Sequence, residues 1–506
     1  MLVRILLIAV SASLLLTASG AVAEEWTQRA KLVSSETDFS DGFGISVAIS
    51  GDTAIVGASW GEPGSAYLFG RDVGGVNNWG ELIKLTASDT VERDQFGGDV
   101  AIWGDLVIVG AQNNNDRTGA AYLFERNHGG PNNWGEVMKF TASDGAPDHG
   151  FGASVAISGE IAIVGAWRDN DNAGAAYIYE RHSGGANNWG KVATLIASDA
   201  ATGDLFHAVA LSGDTAIVGA KEKNARAGAA YVFGRNENGE NTWEETVKLT
   251  ASDAADGDRF GRSDAVGLWG DTAIVGSFGN DDVGQRSGSA YLFDRDEGGE
   301  NTWGEVIKIS ASDAADRDEF GSDVAISGER AIVGARKNED DVGAAYVFGR
   351  DQGGLNNWGE VIRLTASDTY FFGIAVDISG DVAIVGAASV NNDVGELFGA
   401  AYIFSTDGPP GSLGDLTGNG FVDFEDLTVL LANWNQDVAA SQGNLVDPST
   451  TPVNFEDLTV LLAEWTGPGP AGSPEAALRA EAVPEPSSLG LAALGLAIIF
   501  LRRRRR

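Results

Sequence analysis

Residues 151–166 read Phe151-Gly-Ala-Ser-Val-Ala-Ile-Ser158-Gly-Glu-Ile-Ala-Ile-Val-Gly165-Ala166. Two short apolar segments, 154–158 and 162–165, flank Gly159-Glu160, a dipeptide suited to a tight hairpin turn that needs positive φ. Downstream lie Ala175-Ala-Tyr-Ile-Tyr179 and, over 190–196, Gly-Lys-Val-Ala-Thr-Leu-Ile. The segments are short, rich in Val, Ile and Tyr, and bounded by Gly, Asn, Asp or Ser. The stretch therefore predicts four antiparallel strands and no helix.

The phrase recurs along the chain. A Phe-Gly-like pair begins at Phe43, Phe96, Phe151, Phe206, Phe260, Phe320 and Phe372, with His207 in place of the glycine in the fourth copy. An Ile-Val-Gly element follows each time, ending at Gly57, Gly110, Gly165, Gly219, Gly276, Gly334 and Gly386. An Ala-Tyr pair places Tyr67, Tyr122, Tyr177, Tyr231, Tyr291, Tyr346 and Tyr402. Seven copies of a four-strand unit, 52 to 58 residues apart, predict an all-β fold, a seven-bladed β-propeller. The fourth strand starts at a tryptophan in only six units: Trp79, Trp134, Trp189, Trp243, Trp303 and Trp358. The last unit stops after its third strand, at Phe404. The missing strand lies at the other end, where 26–35 (Trp-Thr-Gln-Arg-Ala-Lys-Leu-Val-Ser-Ser) match 358–367. The propeller is thus expected over 24–407, closed by its N-terminal strand, which removes an exposed edge.

This phrasing resembles the FG-GAP repeat, the unit of the integrin α-chain propeller. Calcium-binding members of that family carry an Asp-rich loop between the first two strands. Here that connection is only Gly-Asp or Gly-Glu, so the integrin-style calcium site does not carry over.

Among the 506 residues there is no cysteine and there are four histidines. Disulfides, thiolate zinc sites, iron–sulfur clusters and cysteine nucleophiles are excluded. Acidic residues outnumber basic ones 72 to 34, a formal charge of −38 that repels nucleic acid and attracts cations. Alternating strands put the second-to-third and fourth-to-first connections on one face. The latter begin Ser-Asp or Ser-Glu at Glu36, Asp89, Asp144, Asp199, Asp253, Asp313 and Asp368, and most add an acid such as Asp94, Asp148, Asp204, Asp258 or Asp318. Two readings compete: Asx-turns in soluble loops, or binding of cations or of a ligand through bridging Ca²⁺. The tryptophans read as blade packing rather than sugar platforms. No catalytic residue can be singled out, because acids at repeated positions look structural.

Both ends read as addresses. Residues 1–23 have a positive Arg4, an apolar run from Ile5 to Leu16 and Ala21-Val-Ala23, a signal peptide for the Sec pathway. At the other end Val483-Pro-Glu-Pro486 precedes an apolar stretch from Leu489 to Leu501 and five arginines. Thirteen apolar residues are marginal for spanning a bilayer. Residues 484–506 resemble the PEP-CTERM sorting signal of Gram-negative bacteria. The resemblance implies an exosortase-type processing protease, a transient contact of the C-terminal helix with the membrane, and delivery to the cell surface or extracellular matrix. A permanent single-span anchor is the alternative.

Between propeller and tail, 414–426 read Gly-Asp-Leu-Thr-Gly-Asn-Gly-Phe-Val-Asp-Phe-Glu-Asp. Set on an EF-hand loop, Asp415, Thr417, Asn419, the Phe421 carbonyl, Asp423 and Asp426 become Ca²⁺ ligands, with Gly420 at the turn. A second loop, 444–457, offers Asn444, Asp447, Asn454 and Asp457, but it is two residues longer and lacks the glycine. Each loop leads into a helix with an apolar face. The paired units, 412–466, resemble a dockerin domain, a small α-helical EF-hand pair; the resemblance implies Ca²⁺ and a cohesin-like partner. Residues 467–486, rich in Pro, Gly, Ala and Ser, form a flexible linker. The expected function is a non-enzymatic, adhesion-type or matrix-associated surface protein binding a protein or polysaccharide. The alternative is an extracellular polysaccharide-degrading enzyme or its accessory subunit.

Overall fold

The computed structural model describes residues 26–406, apart from 37–40, 74–77, 237–241, 298, 300–301, 355–356 and 392–396. The signal peptide, the EF-hand-like loops with their helices, the linker and the sorting signal lie outside these residues.

Val, Ile and Tyr at alternate positions favour a pleated, buried chain. The described chain forms seven four-stranded antiparallel sheets, numbered here one to seven along the sequence. Sheets one to six span 43–85, 96–140, 151–195, 206–249, 266–309 and 320–364. Sheet seven takes three strands from 369–405, and its outer strand is Thr27–Leu32, paired antiparallel with Leu397–Ser405 so that Lys31 faces Tyr402. The first strand of each sheet packs against the first strand of the next, and sheet seven packs back on sheet one. The result is a seven-bladed β-propeller.

The core lies between neighbouring sheets rather than within one. Ile55, Leu68 and Leu85 of sheet one meet Phe96, Val109 and Tyr122 of sheet two. Ile384 and Ile403 of sheet seven meet Phe43, Val56 and Tyr67 of sheet one. The motif Phe anchors its own blade, with the Phe96 ring 5.6 Å from Tyr122 and 6.1 Å from Phe124. The six fourth-strand tryptophans named above and Trp26 are 3 to 9% exposed, and Arg126 stacks on Trp134 at 5.1 Å. They pack between blades, as read from the sequence.

The Ile-Val-Gly glycine is required by close approach of two backbones. A Cβ on Gly57 would stand 2.2 Å from the carbonyl oxygen of Gly97, and one on Gly386 would stand 2.1 Å from that of Gly44. The same contact joins each blade to the next, so the two glycine motifs are halves of one interface.

The sequence reading expected no helix inside the repeats. Four second-to-third connections instead form four-residue helical turns, Asn114–Arg117, Asp169–Asn172, Lys223–Arg226 and Asn338–Asp341. In the first two, left-handed residues are Asn115 and Asp116, then Asn170 and Asp171. Asn and Asp tolerate that backbone best among residues with a side chain, which accounts for the amide- and acid-rich loops.

Candidate functional site

Six of the seven Ser-Asp or Ser-Glu acids accept a hydrogen bond from the third-strand tyrosine of their unit. Tyr122 donates to Asp89 at 2.8 Å, Tyr177 to Asp144 at 3.0 Å and Tyr231 to Asp199 at 2.5 Å. Tyr291 donates to Asp253 at 2.7 Å, Tyr346 to Asp313 at 2.6 Å and Tyr402 to Asp368 at 3.0 Å. A fourth-strand cation completes most of these triads: Lys139 at 2.7 Å from Asp89, Lys248 at 2.6 Å from Asp199, Lys308 at 2.5 Å from Asp253 and Arg363 at 3.2 Å from Asp313. Lys31 pairs with Asp368, and Lys84 pairs with Glu36 at 2.5 Å. The third unit differs, because Lys191 turns to the hydroxyls of Ser143 and Thr194 at 2.9 and 3.2 Å.

Burial and the adjacent carboxylate push the hydroxyls of Tyr122 and Tyr231 far up. Burial opposes ionisation of Asp199, yet Lys248, Tyr231 and Lys223 outweigh it and hold its carboxyl at about 2. The acids nearer the phenylalanine tie down their own loops. Asp94 accepts from the Val91 N–H at 2.8 Å, Asp204 from Ala201 at 2.7 Å, Asp258 from Ala255 at 2.8 Å and Asp318 from Ala315 at 2.7 Å. Asp148 pairs with Arg117 at 3.0 Å. Most of the acid on this face is thus committed to turns and triads. Among the described residues no three His, Asp or Glu side chains converge as a metal site requires.

A different site emerges at the axis, where the first strands enclose a cavity of about 200 Å³. Their inner edges carry N–H groups that need acceptors. The side chain three residues after the motif Phe supplies one to the next sheet. Ser46 Oγ accepts from Val100 at 3.1 Å, Asp99 from Val155 at 2.6 Å, Ser154 Oγ from Val209 at 3.1 Å and Asp323 from Val376 at 2.7 Å. Asp377, two residues further along its strand, accepts from Ile49 at 2.7 Å and joins sheet seven to sheet one. Burial, reinforced by the charge of Asp264, drives Asp99 and Asp323 well above the usual carboxylate range. Burial lifts Asp377 to about 7 against the pull of its N–H donors.

Sheets four and five break this belt. Sequence reading missed the break, although its signal is countable. From the motif Phe to the hairpin glycine the step is eight residues in five units, seven in the fourth (Phe206 to Gly213) and ten in the fifth (Phe260 to Gly270). The fifth unit's first strand shrinks to Val266–Trp269, and its preceding residues turn aside. His207 is buried, with Nδ1 2.7 Å from the Leu205 carbonyl and Nε2 2.7 Å from Ser263 Oγ. Burial, then the charge of Lys221, lowers its pKa to about 3. The neutral ring therefore donates from Nδ1 and accepts the Ser263 hydroxyl at Nε2.

Fold and site together define a repeat propeller whose blades meet at paired glycines and whose axis is lined by serines and acids. The FG-GAP repeat family pattern matches residues 26–69, 79–124, 134–179, 189–233, 243–293, 303–348 and 358–404, more than half of the chain, and the chain belongs to that family. Each matched segment begins at a fourth-strand tryptophan and ends on the third strand of the following sheet, Trp26 opening the first. The PEP-CTERM protein-sorting motif matches residues 482–506. No curated protein matches the chain. The two matches mark an exported, cell-surface protein of bacteria processed by an exosortase.

Proposed function

We propose that this chain is a non-enzymatic binding protein of the surface or extracellular matrix of a Gram-negative bacterium, exported through the Sec pathway. The propeller is the platform for a protein or polysaccharide ligand, and its ring is clasped by the N-terminal strand. The observation that carries this reading is the joining of a sorting motif at 482–506 to an FG-GAP propeller. Residues 412–466 act as the tether. The donor set Asp415, Thr417, Asn419, Phe421 carbonyl, Asp423 and Asp426 is all oxygen, the chemistry a hard cation such as Ca²⁺ takes. A cohesin-like protein is the partner proposed for that module.

The test passes the exported protein over a polysaccharide panel with Ca²⁺ or with chelator, scoring both retention and release of reducing ends. Retention without new reducing ends is the expected result. Reducing-end release would overturn the non-enzymatic reading. Asp426→Ala should abolish calorimetric Ca²⁺ binding at the first loop, whereas Asp457→Ala should change it little.

A further inference from the structure

On the hairpin face, opposite the acid-rich loops, a second belt of hydrogen bonds runs around the ring at the last residue of each first strand. Ser50 Oγ accepts from the Gly104 N–H at 3.1 Å, Ser158 from Gly213 at 3.1 Å and Ser212 from Gly270 at 2.9 Å. Ser327 accepts from Gly380 and Ser379 from Gly51, both at 3.1 Å. Each serine thus satisfies the turn N–H of the next sheet. Sheets two and five carry Trp103 and Trp269 at that position instead. An indole only donates. The Gly159 and Gly328 N–H groups of the sheets that follow therefore find no acceptor among the described residues.

Trp103 and Trp269 are 44 and 43% exposed, unlike the fourth-strand tryptophans, and neither belongs to the core between the sheets. A Cβ placed on Gly159 or Gly328 would meet no heavy atom within 4 Å, so the space over both turns is open. Exposed acids lie within two residues of these groups: Asp105 and Glu160 at the first place, Asp271 and Glu329 at the second. Arg126, Arg295 and Arg350 pair with Asp105, Asp271 and Glu329 at 3.1, 3.0 and 3.0 Å. One such pairing leaves a carboxylate further lone pairs with which to accept. The same combination of exposed indole, idle N–H and acceptor carboxylates therefore occurs twice on one rim.

We propose that Trp103 and Trp269 are stacking platforms for the sugar rings of a neutral polysaccharide laid across the hairpin face, with the Gly159 and Gly328 N–H groups donating to its hydroxyls and the hairpin acids accepting from them. A pyranose has an apolar C–H face and a rim of hydroxyls that both donate and accept. It matches an exposed indole flanked by one donor and two acceptors. The other residues of this rim are Ser, Gly, Asp and Glu, so the indoles form no contiguous apolar patch of the kind that marks a protein interface. The formal charge of −38 and the four acids disfavour an anionic glycan. Sheets two and five lie three places apart in a ring of seven, nearly opposite across the axis, which suits an extended chain rather than a single sugar. The proposal rests on the reading of the propeller as a ligand platform and names the ligand class and the face.

Affinity electrophoresis of the full-length exported protein through gels holding a neutral glucan, galactomannan or arabinoxylan, with polygalacturonate as the anionic control, tests it. Retardation by at least one neutral polymer is expected, and less by polygalacturonate. Trp103→Ser and Trp269→Ser each install the residue that five other sheets carry. They supply the missing acceptor and should leave the melting temperature unchanged or raise it, so lost binding is not lost fold. Each should weaken binding about tenfold or more, because removing one of two linked sites removes their avidity. The double variant should migrate as it does in a plain gel. No retardation by any neutral polymer, equal retardation by polygalacturonate, or undiminished retardation of the double variant overturns the site. A dimer in sedimentation velocity that dissociates in the double variant assigns the indoles to a second copy of the chain and overturns it as well. Undiminished retardation of the double variant leaves the platform reading standing on another face, whereas failure of the unaltered protein to be retained by any polymer counts against that reading too.

Discussion

Gly110 of sheet two and Gly152 of sheet three meet so closely that a Cβ on Gly110 would stand 2.1 Å from the Gly152 carbonyl oxygen. Both neighbours are backbone, fixed by strand pairing on each side, so neither can yield cheaply. Gly110→Ala should lower unfolding free energy by about 3 kcal/mol or more, the upper range for overpacking. Gly104, at the hairpin, has open space around its Cβ position and φ 55°. Gly104→Ala should cost only about 1–2 kcal/mol, the left-handed penalty alone. Denaturant unfolding of the two variants side by side checks the difference.

Ala225 occupies, at φ 57° and ψ 34°, the position that Asp116 and Asp171 hold in the corresponding turns. An alanine pays the steric cost of that backbone without the local hydrogen bonding open to Asn or Asp. Ala225→Asn should raise stability by about 0.5–1 kcal/mol, seen as an upward shift of the melting temperature. An unchanged or lowered melting temperature would refute the account.

Asp377 stands where other units carry Ala48, Ala101, Ala156, Ala210, Gly267 and Ala325. Its folded pKa of about 7 lies above the ordinary 3.8, so the folded state holds the proton more tightly than the unfolded chain. Its contribution is fully present below about pH 4 and is lost as pH rises through about 7. At 1.36 kcal/mol per pKa unit, a shift of this size corresponds to about 4 kcal/mol between pH 4 and pH 8. Asp377→Ala should remove that part of the pH dependence; Asp99 and Asp323, shifted the same way, leave a residual slope of the same sign. Unfolding curves at the two pH values measure it.

Trp26 is 5% exposed and packs with Leu364, Phe372 and Phe404. Trp134 has the corresponding place between sheets one and two and is equally buried. Trp26→Ala and Trp134→Ala should therefore both cost about 3–5 kcal/mol, the range for truncating a buried aromatic. A loss below about 1 kcal/mol for Trp26→Ala alone would show that the N-terminal strand adds little to the ring.

The seven-unit count, the four strands of each unit, and the match of 26–35 to 358–367 were legible in the sequence because strand periodicity and turn residues are local signals. Phe-Gly and Ile-Val-Gly were legible as motifs but not as partners. Gly57 and Gly97 lie on different blades, and only the assembled ring brings their backbones within van der Waals reach. The acids of the loop face showed the same limit. Composition left Asx-turns and a cation surface both open, and it could not show that Tyr122 and Lys139 reach Asp89 from strands 33 and 50 residues away in sequence and engage its carboxylate.

What the sequence determined by itself was a repeating all-β chain with a sorting tail, since each rests on contiguous residues. The tertiary structure alone decided which acids are spent and which remain free. A hydrogen-bond acceptor is occupied or idle according to what lies opposite it across a blade boundary. At Asp264 the inserted residues hand that duty to the backbone carbonyl and leave the carboxylate facing the channel.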